Sequence, residues 1–130
     1  MNDIRTRDDI ELLVNTFYDS VKQDDTIGFI FHEIIGEDRS HHLPVMYAFW
    51  ETVIFHKAGY TGNPVKKHID IDKQIPLKDE HYARWVALWT ETVDSLFAGP
   101  NADEIKNRAA LMMNLISIKV QMARQGKTIM

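Results

Sequence analysis

Apolar residues recur at intervals of three and four along most of this 130-residue chain, and this spacing constrains its fold most strongly. The pattern predicts a first helix from about Arg7 to Gln23, which Thr6 and Asp9 begin as a capping box. Further helices are predicted over the segments 24–35, 43–58, 78–97 and 103–124. The spacing therefore indicates an all-α domain of four or five helices.

One long segment, from Gly59 to Pro76, does not follow the helical pattern. It begins in the turn-forming sequence AGYTGNP, and its apolar residues are few. Ile69 and Ile71 allow a short strand, but no second strand is predicted to pair with it. We therefore expect a loop with at most one or two turns of helix. Long irregular connections are often functional, and this one contains His68.

Length, cysteine content and charge exclude several classes of protein. We expect one domain over residues 1–130, since domains of this size can bury a core without disulfides. The absence of cysteine excludes thiolate nucleophiles, iron–sulfur clusters and thiolate zinc sites, so any metal must be bound by nitrogen or oxygen. A net charge of −4 without a basic block gives no indication of nucleic acid or of an anionic membrane as a partner. With a charged N-terminus and no long apolar run, a cytoplasmic protein is expected.

The sequence motifs of several common enzyme classes are absent. The chain has no G-x-S-x-G, no phosphate-binding glycine loop and no H-E-x-x-H, so hydrolysis by a serine nucleophile, nucleotide hydrolysis and a dedicated zinc site are not favoured. The acidic pairs at 24–25 and 70–72 lie at a helix start and in the polar connection. Capping and solvation explain them.

Two of the six histidines are set apart by the apolar residues around them. His42 lies at the edge of an apolar stripe, and His68 lies among isoleucines. For His42, a structural histidine satisfied by a backbone carbonyl competes with a binding role. For His68, the spacing alone favours a buried structural histidine. The other four are expected at the surface or at helix ends: His32, His41, His56 and His81.

Aromatic and sulfur-containing side chains are abundant, with three Trp, four Tyr, six Phe and six Met. Tyr18 adjoins the apolar face of the first helix, so its hydroxyl must reach solvent or a buried partner. Trp85 and Trp89, four residues apart, share one helix face, and Phe49 and Trp50 are adjacent. Their spacing is more typical of a packed core, although it also permits a pocket for a flat apolar ligand.

Four segments in a fixed order carry a resemblance to a known family. They are FYDSVKQDDTIGFIF at 17–31, HLPVMYAFWE at 42–51, YTGNPVKKHIDI at 60–71 and RWVALWTETV at 84–93. Through these segments and their spacing, nearly the whole chain resembles the truncated haemoglobins. The glycine pairs typical of other truncated groups are absent, which favours group III.

The resemblance implies a shortened globin fold, a two-over-two helical sandwich around haem b, the common iron protoporphyrin. His68 matches the histidine of the family's NP-x-x-x-H string and would be the proximal iron ligand. The implied distal residues are Tyr18, His42 and Trp85. The implied contacts with the cofactor are Phe31, Met46, Phe49, Trp50, Lys67 and Trp89, with Lys66 as a second lysine near a haem propionate.

Pro44 is a departure that bears on the distal side. It follows His42 by two residues and could bend the helix so that the imidazole leaves the pocket, in which case His41 could replace it.

The resemblance implies binding of O2, NO or CO, with the option of redox turnover such as NO dioxygenation or peroxide chemistry. Such turnover would need a reductase from outside the chain, and a monomer or weak dimer is expected. A different hypothesis is a haemless all-α interaction domain that keeps the globin scaffold. His68 discriminates between the two, because an interaction domain has no need of an imidazole there.

Overall fold

The computed structural model describes residues 1–36, 40–60 and 62–126, and these residues form six α-helices and no strand. The helices are α1 (Arg7–Lys22), α2 (Gly28–Ile34), α3 (His42–Phe55), α4 (Pro64–Gln74), α5 (Asp79–Leu96) and α6 (Pro100–Arg124). None of the six has the length and apolar character that crossing a membrane would require. The all-α prediction is confirmed.

The four longest helices form two layers. Helices α1 and α3 pack together, α5 and α6 pack together, and the layers meet where α1 lies on α5 and α3 lies on α6. The shorter helices attach to this frame, α2 on α1 and α4 on α6. The arrangement is the predicted two-over-two sandwich.

The start of α1 follows the predicted capping box. The Asp9 backbone N–H donates to the Thr6 hydroxyl oxygen at 3.3 Å, and the Thr6 N–H donates to the Asp9 carboxylate at 3.1 Å. These contacts satisfy two backbone donors that the helix leaves without partners at its first turn. Both partners are within four residues, which is why the sequence was sufficient to predict this end.

Helix α4 shows that the prediction of a loop over 59–76 was wrong. The Asn63 side chain caps it by accepting from the Lys66 N–H at 3.1 Å, Pro64 occupies its first position, and Lys66 pairs with Asp70 one turn later at 3.0 Å. Ile69 is its one buried residue. The helix is short and buries little surface, so its local caps were the better signal.

Helix α6 begins at Pro100, three residues before the predicted start at Asp103. The Asp3 carboxylate caps it by accepting from the N–H groups of Asn101 at 3.0 Å and Ala102 at 2.9 Å. Gly99 approaches Asp3 so closely, with a φ of 143°, that a side chain at this position would collide with the carboxylate. The cap comes from the other end of the chain, so no local pattern predicts it.

A stack of tryptophans joins the two layers. The Trp50 ring of α3 stacks on Trp89 of α5 with centroids 4.6 Å apart, and Trp89 stacks on Trp85 at 5.5 Å. Phe17 of α1 meets Trp85 and Trp89 edge to face at 5.1 and 5.0 Å. Aromatic pairs of this kind add to the stabilisation from their burial.

Candidate functional site

His68 lies in the middle of α4, with one ring nitrogen held by its own helix. Its Nδ1 is 2.7 Å from the Pro64 carbonyl oxygen, four residues earlier. A carbonyl oxygen only accepts, so Nδ1 carries a proton and donates. Burial lowers the pKa of His68, although the hydrogen bond to Pro64 acts in the opposite direction, so the neutral ring is favoured. In the neutral ring the lone pair is on Nε2.

Tyr18 and His42 meet across two helices. The Tyr18 hydroxyl oxygen lies 2.7 Å from Nε2 of His42, and the rings are edge to face with centroids 5.3 Å apart. Tyr18 comes from the buried face of α1, and His42 is the first residue of α3. Pro44 therefore does not direct His42 away from Tyr18, since a proline in the first turn leaves the helix intact. His41, the alternative, is exposed.

The surroundings of His42 favour its neutral form. Burial, together with the nearby charges of Lys67 and His41, lowers the pKa of His42 to about 4. Lys67 belongs to α4, so α4 presents a positive charge towards the first turn of α3. The second lysine, Lys66, forms an ion pair with Asp70 at 3.0 Å. Lys67 is thus the lysine whose charge acts on His42.

Two further predicted residues extend the group around Tyr18. Phe31 of α2 packs edge to face on Tyr18 with centroids 5.5 Å apart. Trp85 is buried and touches Phe17, which in turn packs on Tyr18. A cavity of about 280 Å³ lies beside this group, with Tyr18, Phe31 and Ile35 among its walls. The structure therefore brings both His42 and Phe31 into direct contact with Tyr18. Trp85 is linked to Tyr18 through the ring of Phe17.

The remaining predicted cofactor contacts divide between core and surface. Trp50 and Trp89 are each 1% exposed in the tryptophan stack, and Trp89 donates to the Ile105 carbonyl oxygen at 3.4 Å. Met46 and Phe49 of α3 are only half-buried, and Phe49 packs on Tyr60 at 4.9 Å. The contact of these four residues with a cofactor stays a prediction.

Helix α3 carries more apolar surface than the fold covers. Only Trp50 and Ile54 of its 14 residues are buried. Six apolar or aromatic side chains of the same helix are only partly covered: Leu43, Met46, Tyr47, Phe49, Val53 and Phe55. Partly covered apolar side chains on one helix are candidates for contact with a ligand.

Of the other histidines, His81 differs from expectation. It was predicted at the surface or in a last helical turn, but it is 8% exposed in the first turn of α5 and accepts from the Lys78 N–H at 3.0 Å. His32, His41 and His56 are exposed as expected. In the part of the chain that the structure describes, no three His, Asp or Glu side chains converge on a metal site.

Comparisons with known proteins agree with the fold. No family model matches the chain. A group 3 truncated haemoglobin of Campylobacter jejuni is 28% identical over 109 residues, which cover 82% of this chain and 84% of the relative. The crystal structure of a group III truncated haemoglobin from Campylobacter jejuni superimposes with a TM-score of 0.80 at 25% identity and covers 94% of both chains. The chain is similar to group III truncated haemoglobins both in sequence and in fold. Its fold is the globin fold, as the four sequence segments predicted.

The sequence interpretation missed the Pro64 carbonyl that orients His68. Residues four apart in a helix are neighbours, so the contact of His68 with Pro64 could have been predicted if the 59–76 segment had been recognised as helical. It also missed Tyr60, which packs on Phe49 beside the predicted cofactor contacts. Burial raises the pKa of Tyr60, so its hydroxyl stays protonated.

Proposed function

We propose that this chain binds haem through His68 and holds a diatomic ligand beside Tyr18. The geometry of His68 carries the proposal. Its Nδ1 is committed to the Pro64 carbonyl at 2.7 Å, so the neutral imidazole offers the Nε2 lone pair to a metal. Histidines that ligate metals usually donate their other nitrogen in this way, which fixes the ring orientation and strengthens the ligand.

The half-buried apolar residues fit a flat apolar cofactor. Phe31, Met46 and Phe49 would cover it, and Lys67 would pair with an acidic group at its edge, such as a propionate. Haem brings nitrogen ligands of its own in the macrocycle, so His68 alone would suffice to hold it and no further metal-binding side chains would be needed. The residues present therefore fit haem.

When bound, haem supplies an iron centre that binds diatomic molecules and exchanges single electrons. The chain supplies hydrogen bonds and excludes water. Neutral His42 carries one ring proton. With that proton on Nε2, His42 donates to the Tyr18 oxygen, and the Tyr18 hydroxyl can then donate its own proton to a ligand. With the proton on Nδ1, Tyr18 instead donates to His42.

We assign the main ligand hydrogen bond to Tyr18 and a second one to Trp85. A hydroxyl or indole donor suits a ligand that accepts a hydrogen bond, such as O2. A charge-assisted bond contributes roughly 1.5–3 kcal/mol, which is about ten- to a hundredfold in affinity. NO and CO are further ligands of the same site. Redox turnover such as NO dioxygenation requires electrons from a reductase outside this chain.

Haem titration of the purified chain tests the proposal. We expect a Soret band that saturates at one haem per chain, and His68→Ala should weaken the band or shift it. Added imidazole should restore the band in His68→Ala. His56→Ala is the matched control, since His56 is exposed at the end of α3, and its spectrum should equal that of the wild type.

Two results would contradict the proposal. A Soret band of unchanged position and strength in His68→Ala would exclude His68 as the axial ligand. No band in the wild type would exclude the haem proposal and favour the haemless interaction domain.

A further inference from the structure

A carboxylate and a guanidinium join the end of α4 to the end of α6. Asp72 lies in the last turn of α4, and Arg124 is the last residue of α6. Arg124 Nε donates to Asp72 Oδ2 at 2.9 Å, and Arg124 Nη2 donates to Asp72 Oδ1 at 2.5 Å. Two parallel hydrogen bonds of this kind fix the orientation of the two groups as well as their distance. We call this ion pair the α4–α6 clamp.

The segment between α4 and α5 closes around the clamp. The Leu77 N–H donates to Asp72 Oδ1 at 2.8 Å, and the Leu77 carbonyl oxygen accepts from Arg124 Nη2 at 2.6 Å. Each of the three residues therefore contacts the other two. The Asp72 side chain is only 10% exposed, and pairing with Arg124 lowers the pKa of Asp72, so the carboxylate stays charged. Ion pairs with this two-point geometry contribute more than most surface pairs do.

Little else holds α4 in place. Ile69 is its one buried residue, so apolar packing constrains the helix weakly. Its other ion pair, between Lys66 and Asp70, lies within the helix. In the part of the chain that the structure describes, no further ion pair or side-chain hydrogen bond joins α4 to another helix. A carboxylate in the last turn of a helix is also disfavoured by the helix dipole, so Asp72 needs a cation beside it.

We propose that Arg124 is a positioning residue for His68, because the clamp fixes how α4 lies on α6 and therefore where the imidazole presents Nε2. This inference rests on the proposed function, in which His68 is the iron ligand. Asp72 follows His68 by four residues, which is one turn of the same helix, so a displacement of α4 at Asp72 moves His68 with it. The Pro64 carbonyl orients the ring, and the clamp places the helix that carries it.

Amide hydrogen exchange in the haem-free, full-length chain tests the clamp. Arg124→Gln should quicken exchange in α4 about fivefold, as expected for an ion pair at the upper end of the range for partly exposed pairs. Helices α1 and α3 should keep their protection. Arg108→Gln is the matched control, since Arg108 also belongs to α6 but pairs with Glu104 of the same helix at 2.8 Å. Unchanged exchange in α4, or an equal change in both variants, would overturn the proposal.

A double variant tests whether Asp72 and Arg124 act as one unit. Asp72→Asn keeps an acceptor for the Leu77 N–H but removes the charge that Arg124 pairs with, so it should also quicken exchange in α4. Asp72→Asn combined with Arg124→Gln should exchange no faster than Arg124→Gln alone, because both substitutions remove the same interaction. Additive effects would show that the two residues act separately and would overturn the clamp.

Resonance Raman spectroscopy of the ferrous, haem-loaded chain tests the effect on His68. The iron–histidine stretching band should shift in Arg124→Gln and stay at its wild-type frequency in Arg108→Gln. A loss of stability alone would not move the band of the folded chain. An unchanged band in Arg124→Gln, despite faster exchange in α4, would overturn the positioning role. A wild-type chain without this band would contradict the proposed function, and the positioning role with it, whereas the clamp would still be decided by hydrogen exchange.

Discussion

The two sides of the proposed haem site are positioned by contacts of very different range. His68 is oriented by the Pro64 carbonyl four residues earlier in α4, so the folding of one short helix sets its ring. Tyr18 and His42 are 24 residues apart and meet only because α1 packs on α3. Damage to the core should therefore disturb Tyr18 and His42, the distal pair, first, whereas damage to the caps of α4 should disturb His68 first.

The largest expected effect comes from removing the centre of the tryptophan stack. Trp89→Ala should destabilise the fold by about 3–5 kcal/mol, because a fully buried ring is replaced by a cavity. Phe17, which touches both Trp89 and Tyr18, then loses support, so the distal pair should loosen. Urea unfolding measures the stability. The NMR signals of His42 and His68 report separately on the distal and the proximal side of the proposed site. An equal disturbance of His42 and His68 would contradict the comparison.

Removing the Tyr18 hydroxyl tests the distal side alone. In haem-loaded protein, Tyr18→Phe should speed O2 release about ten- to a hundredfold, since one charge-assisted hydrogen bond of roughly 1.5–3 kcal/mol is lost. The packing should survive because the ring remains. Stopped-flow measurement of the O2 off-rate gives the result, and an unchanged rate would contradict the assignment of Tyr18 as main donor. Tyr47→Phe is the control, because the Tyr47 hydroxyl donates to Asn15 at the surface.

His42 should make the stability of the fold pH-dependent. Its folded pKa of about 4 lies below the ordinary value of 6.5, so between these values the unfolded chain binds a proton that the folded chain does not. Stability is therefore full above pH 6.5 and falls as the pH drops towards 4. The side chain is partly exposed, so we expect a loss of about 1–2 kcal/mol after allowing for solvent screening.

Urea unfolding of the haem-free chain at pH 7, 6 and 5 measures this dependence. His42→Gln should flatten it, while His56→Gln, at an exposed position, should not. The pH dependence of stability that remains in His42→Gln is expected to come from His68, because burial lowers the pKa of that histidine too. Identical pH profiles for wild type and His42→Gln would contradict the burial of a neutral His42.

How far each element could be predicted follows the same division between local and distant contacts. The cap of α1 was readable because Thr6 and Asp9 are three residues apart. The start of α6 was not, because its cap, Asp3, is 98 residues from Asn101 in sequence. Apolar spacing predicted the other five helices, which are richer in apolar residues, and missed α4, in which only Ile69 is buried.

The site shows a further limit of sequence interpretation. Spacing alone did not decide whether His42 and His68 have a structural or a binding role. The resemblance to group III truncated haemoglobins assigned a binding role to both. Neither source predicted that Lys67 acts on His42, because this interaction joins α4 to α3 through space. Nor did they predict that His81 is buried, although its partner, the Lys78 backbone N–H, is only three residues away.

The proximal side is tested by the cap of α4. Asn63→Ala removes the side chain that accepts from the Lys66 N–H and should destabilise α4 by about 1 kcal/mol. Amide hydrogen exchange should quicken within α4 while α1 and α3 keep their protection. Asn63→Asp keeps an acceptor and should behave as the wild type. Faster exchange spread evenly over all three helices would show that α4 is not stabilised locally.

The smallest expected effect tests the one link between the two sides. Lys67→Ala should raise the pKa of His42 towards its ordinary value, because a positive charge that opposes protonation is removed. The charge is exposed, so the change corresponds to less than about 1 kcal/mol. Lys66→Ala is the matched control, since Lys66 is the neighbouring exposed lysine and pairs with Asp70. NMR titration of His42 in haem-free protein distinguishes them: equal shifts in both variants would mean that the general charge of α4, rather than Lys67, acts on the distal pair.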